Sequence, residues 1–277
     1  MARPRISVIE FFNLESGIAT EYRRLLHNIQ QLARAREIKS ILVTSSMLAE
    51  GKSNVCAFLA LTAAKKGIKA LLIDSDLRRP TLHKLFAMER EPGLAEALAE
   101  GVPARNVVRK TSLSSLDVIT AGRPCSVPAE VFDAPAIGRI VAEMKFYYDI
   151  IIVDCAPVIP VSDPMLLSHE VDGVLFVVKA GSTQRDVVLR ARDILSSSTD
   201  RLLGVVLNNS EDSLPYYYSH EYYGYDYRQK PTGGKRAPKG DGKESGKDSA
   251  PTAGTGANGG TRPVAKTDAN QKNSLPQ

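Results

Sequence analysis

Six short apolar runs punctuate the first 210 positions: residues 39–44 (KSILVT), 69–74 (KALLID), 117–120, 149–154 (DIIIVD), 174–178 and 205–208. Between them lie longer stretches with helical spacing, notably 53–66, 134–146 and 184–196, and a helix over about 19–35 precedes the first run. Runs that are apolar throughout, rather than alternating, predict strands covered on both faces, as in a parallel sheet. Regular alternation of such strands with helices places the chain in the α/β class. The expected fold is a doubly wound, mostly parallel sheet with helices on both faces, its ligands at the carboxyl ends of the strands. No internal repeat is visible.

The pattern stops near residue 213. Residues 216–227 read YYYSHEYYGYDY and hold seven of the ten tyrosines. Residues 228–277 contain no aromatic residue, 9 Gly and 5 Pro. Such a stretch buries too little apolar surface to offset its ordering entropy, so disorder is expected there. The predicted organisation is an N-terminal segment and helix (1–35), an α/β domain (36–213), a tyrosine cluster (214–227) and a disordered basic Gly/Pro-rich tail (228–277).

Charge changes this picture little. The net charge of the 277 residues is +5, but residues 228–277 carry 10 basic against 4 acidic side chains, a net of +6. The rest is close to neutral, so no basic face for nucleic acid is implied and no nucleic-acid partner is expected. The tail is suited to acidic surfaces. Three cysteines, Cys56, Cys125 and Cys155, show no metal or disulfide spacing. No run reaches the ~18 apolar residues of a membrane span, and no signal-peptide core follows Met1. A soluble, cytoplasmic chain is expected, so that any membrane association must come through a partner or the tail.

Chemistry concentrates after three of the strands. The first loop, Thr44 to Asn54, ends in Gly51-Lys52-Ser53. Backbone N–H groups and a helix N-terminus there suit phosphate oxygens, Lys52 supplies charge at the β- and γ-phosphates, and Ser53 offers a hydroxyl to Mg²⁺. The general phosphate-loop pattern calls for Gly where this chain has Ser46. The second loop carries Asp74 and Asp76, suited to a metal–water shell and a general base. The third begins at Asp154, where an apolar run ends in an acid. Together the three loops predict a Mg·ATP site.

These residues resemble the bacterial tyrosine autokinases (BY-kinases) of capsule and exopolysaccharide systems, of the soluble cytosolic type. That family lies within the deviant P-loop ATPases that include the MinD/ParA-like positioning ATPases. The likeness rests on SSMLAEGKSN (45–54), ALLIDSDLRRP (70–80), Asp154 and the tyrosine cluster, and covers about residues 15–227. It implies ATP-dependent phosphorylation of the chain's own tyrosines, Tyr216, Tyr217, Tyr218, Tyr222, Tyr223, Tyr225 and Tyr227, between subunits of a ring-like homo-oligomer.

By the same resemblance, Lys52, Asp74, Asp76 and Asp154 are catalytic, with Asp74 the base facing the phenol. Ser53, Asp76 and Asp154 are metal-side groups. Ser46, Glu50, Gly51, Lys52, Ser53, Asn54 and Asn208 line the nucleotide, Asn208 at the adenine. Glu21 and Arg24 belong to the helix associated with assembly, and a membrane polysaccharide co-polymerase is the implied activator. Leu48 and Ala49 depart from the family's Pro and Gly. If position 49 needs φ > 0, Ala is unfavourable by about 1–2 kcal/mol, and Ala49→Gly is expected to tighten ATP up to roughly tenfold. A MinD/ParA-like regulatory ATPase and a non-catalytic scaffold subunit are the alternatives, both disfavoured by the tyrosine cluster.

Overall fold

The computed structural model describes residues 6–209. The tyrosine cluster and the tail lie outside the described residues. Helices α1 (Val8–Phe11) and α2 (Gly17–Ala35) precede β1 (Ser40–Ser45), α3 (Lys52–Lys65) and β2 (Ala70–Asp74). Short helices α4 (Leu82–Leu85), α5 (Leu94–Ala99) and α6 (Ala104–Val107) lead to β3 (Arg109–Lys110) and β4 (Leu116–Ile119). Then come α7 (Pro128–Val131), α8 (Ala134–Met144), β5 (Ile150–Asp154) and α9 (Asp163–Ser168). The last described elements are β6 (Gly173–Lys179), α10 (Arg185–Ser198) and β7 (Leu202–Asn208).

The strands form one seven-stranded sheet in the order β3-β4-β2-β5-β1-β6-β7. All its pairings are parallel except that of β3 with β4. The two-residue β3 is too short to leave a periodic trace, so only this antiparallel edge departs from the expected pattern. Successive residues of β1 face opposite layers. Ile41 and Val43 pack with α2 and α3, whereas Leu42 packs with the apolar faces of α8 and α10. Burial on both faces accounts for the unbroken apolar runs. Helix α3 is covered on nearly every side, since the sheet lies beneath it and α2 above. Helix α2 starts two residues before the expected Ala19, because the Ser16 hydroxyl accepts the Ala19 N–H at 3.1 Å and caps it.

This topology decides where the chemistry falls. In the register of β1, β5 and β2, Asp154 lies beside Val43 on one side and Asp74 on the other. The carboxyl ends of the three strands therefore bring their loops to a single place. No described helix is long and apolar enough to cross a membrane.

Candidate nucleotide-binding site

The loop from β1 to α3 turns by means of two residues with positive φ, Ala49 at 62° and Gly51 at 89°. Gly51 is the residue before the first turn of α3, so its left-handed conformation aims the free N–H groups of a 14-residue helix back toward the loop. A side chain at position 51 would also collide with Asn208, whose Nδ2 occupies the place a Cβ would take. Ala49 has no such freedom, and its methyl opposes the left-handed region by about 1–2 kcal/mol.

Lys52 opens α3 and reaches across the sheet ends. Its Nζ lies 3.0 Å from Asp76 Oδ2 and 3.7 Å from Asp154 Oδ1, with only 11% of its side chain exposed. Burial alone would lower the pKa of this ammonium, but Asp154 and Asp76 outweigh it and hold the pKa above its usual range. Asp74 is fully enclosed; burial and then the Asp154 carboxylate push it well above the ordinary carboxylate range. Burial raises Asp154 as well, against the pull of Lys52 and the Ser53 hydroxyl. One ammonium thus serves two carboxylates, Asp76 and Asp154.

Ser46 Oγ and Asp74 Oδ1 are buried with no hydrogen-bond partner among the described residues, and Asp154 has only the Ser53 hydroxyl and the Lys52 ammonium, 3.7 Å from its Oδ1, beside it. Such groups are unfavourable by about 1–3 kcal/mol each unless something else satisfies them. No group of three His, Cys, Asp or Glu side chains among the described residues is arranged to hold a metal unaided. The carboxylates of Asp76 and Asp154 with the Ser53 hydroxyl would suit Mg²⁺, which takes one or two carboxylates and completes its octahedron with water and phosphate.

The structure divides the sequence-predicted site residues into two neighbouring groups. Ser46, Gly51, Lys52, Ser53, Asp74, Asp76 and Asp154 gather at the sheet ends. Asn54, Asn208, Glu21 and Arg24 instead line a groove of about 570 Å³ between α2, α3 and β7. Glu21 and Arg24 pair with each other across one turn of α2 at 2.7 Å.

Three of the expected site residues also make bonds within the fold. Asp74 is wholly buried, and its Oδ2 accepts the Thr81 and Leu82 N–H groups at 3.1 and 3.0 Å. It shapes the turn after β2. The Glu50 side chain points inward, 3% exposed, where it accepts the Met47 N–H at 2.7 Å and the Thr183 hydroxyl. Asn208 donates through Nδ2 to the Glu50 carbonyl at 2.9 Å and also lines the groove beside Asn54.

Two participants escaped the sequence reading. Thr183 lies in an ordinary polar turn after β6, and Asp163, which meets Arg78 at 3.4 Å, begins a short helix. Neither carries a local signal, because each acts on a loop far away in the chain.

Comparison with known proteins follows this geometry. No protein-family model matches the chain. Tyrosine-protein kinase YwqD of Bacillus subtilis (strain 168) is 32% identical over 224 residues, covering 81% of this chain and 92% of that protein. Succinoglycan biosynthesis transport protein ExoP of Rhizobium meliloti (strain 1021) is 30% identical over 213 residues, which are 75% of this chain and 27% of ExoP. Among solved structures, the kinase domain of the Escherichia coli tyrosine kinase ETK superposes with a TM-score of 0.68 at 27% identity, covering 75% of this chain and 82% of that one. With its phosphate loop, its paired strand-end carboxylates and these relatives, the chain belongs to the bacterial tyrosine-protein kinases.

Proposed function

We propose that the chain is an ATP-dependent protein-tyrosine autokinase. It transfers the γ-phosphoryl group of Mg·ATP to the tyrosines of 216–227, between subunits of a homo-oligomer, and thereby regulates polysaccharide polymerisation or export. The observation that carries this reading is the Lys52 ammonium held between Asp76 and Asp154 beneath a left-handed loop at a helix N-terminus. Phosphoryl transfer asks mainly for positioning and charge neutralisation, and this arrangement is built for both.

In the proposal Lys52 leaves its carboxylates to meet the β- and γ-phosphates. The N–H groups of the loop and of α3 orient the phosphate chain. Ser53, Asp76 and Asp154 would hold Mg²⁺, which when bound spreads the negative charge of the phosphates. Asp74 keeps the turn bearing Asp76 in place. As the phenol oxygen bonds to the γ-phosphorus and the bond to the ADP oxygen breaks, the phenol proton leaves late, to Asp74 or to solvent, as suits a loose transition state in which little negative charge develops on the entering oxygen. The groove of α2, α3 and β7 adjoins the loop through Asn54 and Asn208 and is the place for the nucleoside end.

The partner that suits this reading is a membrane polysaccharide co-polymerase acting as activator. ExoP, a biosynthesis transport protein in which the matching region is about a quarter of the whole, supports that pairing. Recruitment to the inner face of the plasma membrane would then come through the partner. The test mixes a full-length Lys52→Met chain with an otherwise unaltered chain lacking residues 216–277, in Mg²⁺ and γ-labelled ATP. Phosphotyrosine on the Lys52→Met chain is expected. An unlabelled Lys52→Met chain would place the reaction within one subunit.

A further inference from the structure

Glu50 sits at a junction that the catalytic reading leaves unused. Its carboxylate receives the Met47 N–H from one side and the Thr183 hydroxyl from the other, while its carbonyl receives Asn208 Nδ2. Met47, Glu50 and the strained Ala49 belong to the phosphate loop. Thr183 belongs to the turn between β6 and α10, and Asn208 ends β7. Two strands on one side of the sheet therefore grip the loop through a single residue. Glu50 is almost fully buried, so its carboxylate needs both donors.

We propose that Thr183 is a positioning residue for the nucleotide: by latching Glu50 it keeps Ala49 left-handed and the loop shaped for phosphate before anything binds. The proposal rests on reading this loop as the phosphate site. Glycine would adopt that conformation unaided, so the latch is what allows alanine to stand there. Without the Thr183 hydroxyl, Ala49 would relax to negative φ, and an incoming nucleotide would have to restore the loop. Thr183 itself would touch no substrate.

The test uses the full-length chain as wild type, Thr183→Val, Thr183→Ser, Ala49→Gly and the double variant that combines Ala49→Gly with Thr183→Val. In the nucleotide-free protein, exchange of the Met47 amide should be at least about tenfold faster in Thr183→Val and near wild type in Thr183→Ser. Calorimetric affinity for Mg·ADP should fall about tenfold in Thr183→Val and recover in Thr183→Ser. The same Thr183→Val change should weaken binding less than about threefold when made on top of Ala49→Gly. A Thr183 that merely packs would weaken binding equally in the wild-type and Ala49→Gly backgrounds, which overturns the proposal. Unchanged Met47 exchange in Thr183→Val overturns it too, whether or not nucleotide binds. Absence of Mg·ADP binding by wild type would instead fault the phosphate-site reading. If melting shows that Thr183→Val is poorly folded, Thr183→Ala carries the same comparisons.

Discussion

Ala49 shows how the location of strain decides what a substitution changes. On the latch proposed above, the φ of 62° at Ala49 is held whether or not nucleotide is bound, so the unfavourable methyl contact burdens folding, not binding. The affinity gain expected from sequence for Ala49→Gly is therefore replaced by a stability gain. Relief of about 1–2 kcal/mol, less about 0.4–1 kcal/mol for the freer unfolded glycine, leaves a net benefit near 0.5–1 kcal/mol. We expect Ala49→Gly to raise Tm by roughly 1–4 °C and to leave Mg·ADP affinity within about twofold. Calorimetry and thermal melting on the same preparation separate the two effects. A tenfold tighter complex with unchanged Tm would show that the strain appears only on binding. The Lys52 cluster is the complementary case. Its buried carboxylates, Asp76 and Asp154, keep a cation close.

Elements are fixed in place by a few polar knots outside the apolar layers. Asp172, just before β6, accepts the Lys39 and Ser40 N–H groups, the Ser40 hydroxyl and the Lys145 ammonium at 2.7–2.9 Å. It ties the starts of β1 and β6 to the end of α8. Burial would raise its pKa, but the Lys145 bond and then the Lys39 and Ser40 bonds outweigh this and hold it below the usual carboxylate range. A depressed carboxylate stabilises the fold above its unfolded pKa, about 4, and that contribution disappears as pH falls through the lower folded value. Asp172→Asn should therefore be less stable by about 1–3 kcal/mol at pH 7, with the gap to wild type closing toward pH 2. Urea titrations at both pH values check this, and a gap independent of pH would remove the charge argument.

The same distinction explains what was legible in the sequence. β1, β2 and β5 were readable because both faces are buried and each run is apolar from end to end. Lys52, Asp76 and Asp154 were readable because strand ends deliver them by fixed spacing. The inward turn of Glu50 was not, since its Thr183 partner lies 133 residues away and only the packed sheet brings them together. The bonds Asp74 makes were hidden for a related reason. Spacing shows that two carboxylates follow β2, but not that one of them is closed off by the N–H groups of Thr81 and Leu82.

At the scale of the whole molecule, charge supplies a switch for the proposed assembly. Residues 216–277 carry 10 basic and 6 acidic side chains, a net of +4. Each phosphate adds about −1.5 to −2, so three would contribute about −4.5 to −6 and reverse the sign of the segment. A segment drawn to the neighbouring subunit's acidic strand ends would then be repelled. Light scattering should show a smaller particle after ATP treatment than before, and an unchanged mass would remove the electrostatic switch. The central claim, that this chain phosphorylates its own tyrosines through the Lys52 site, has a more direct test. The purified full-length chain is incubated with Mg²⁺ and γ-labelled ATP, and the label is mapped by mass spectrometry beside a Lys52→Met chain treated alone. The account predicts phosphate on tyrosines within 216–227 and none on Lys52→Met. Undiminished phosphotyrosine in Lys52→Met, or a wild-type chain that binds nucleotide yet labels no tyrosine, would contradict it.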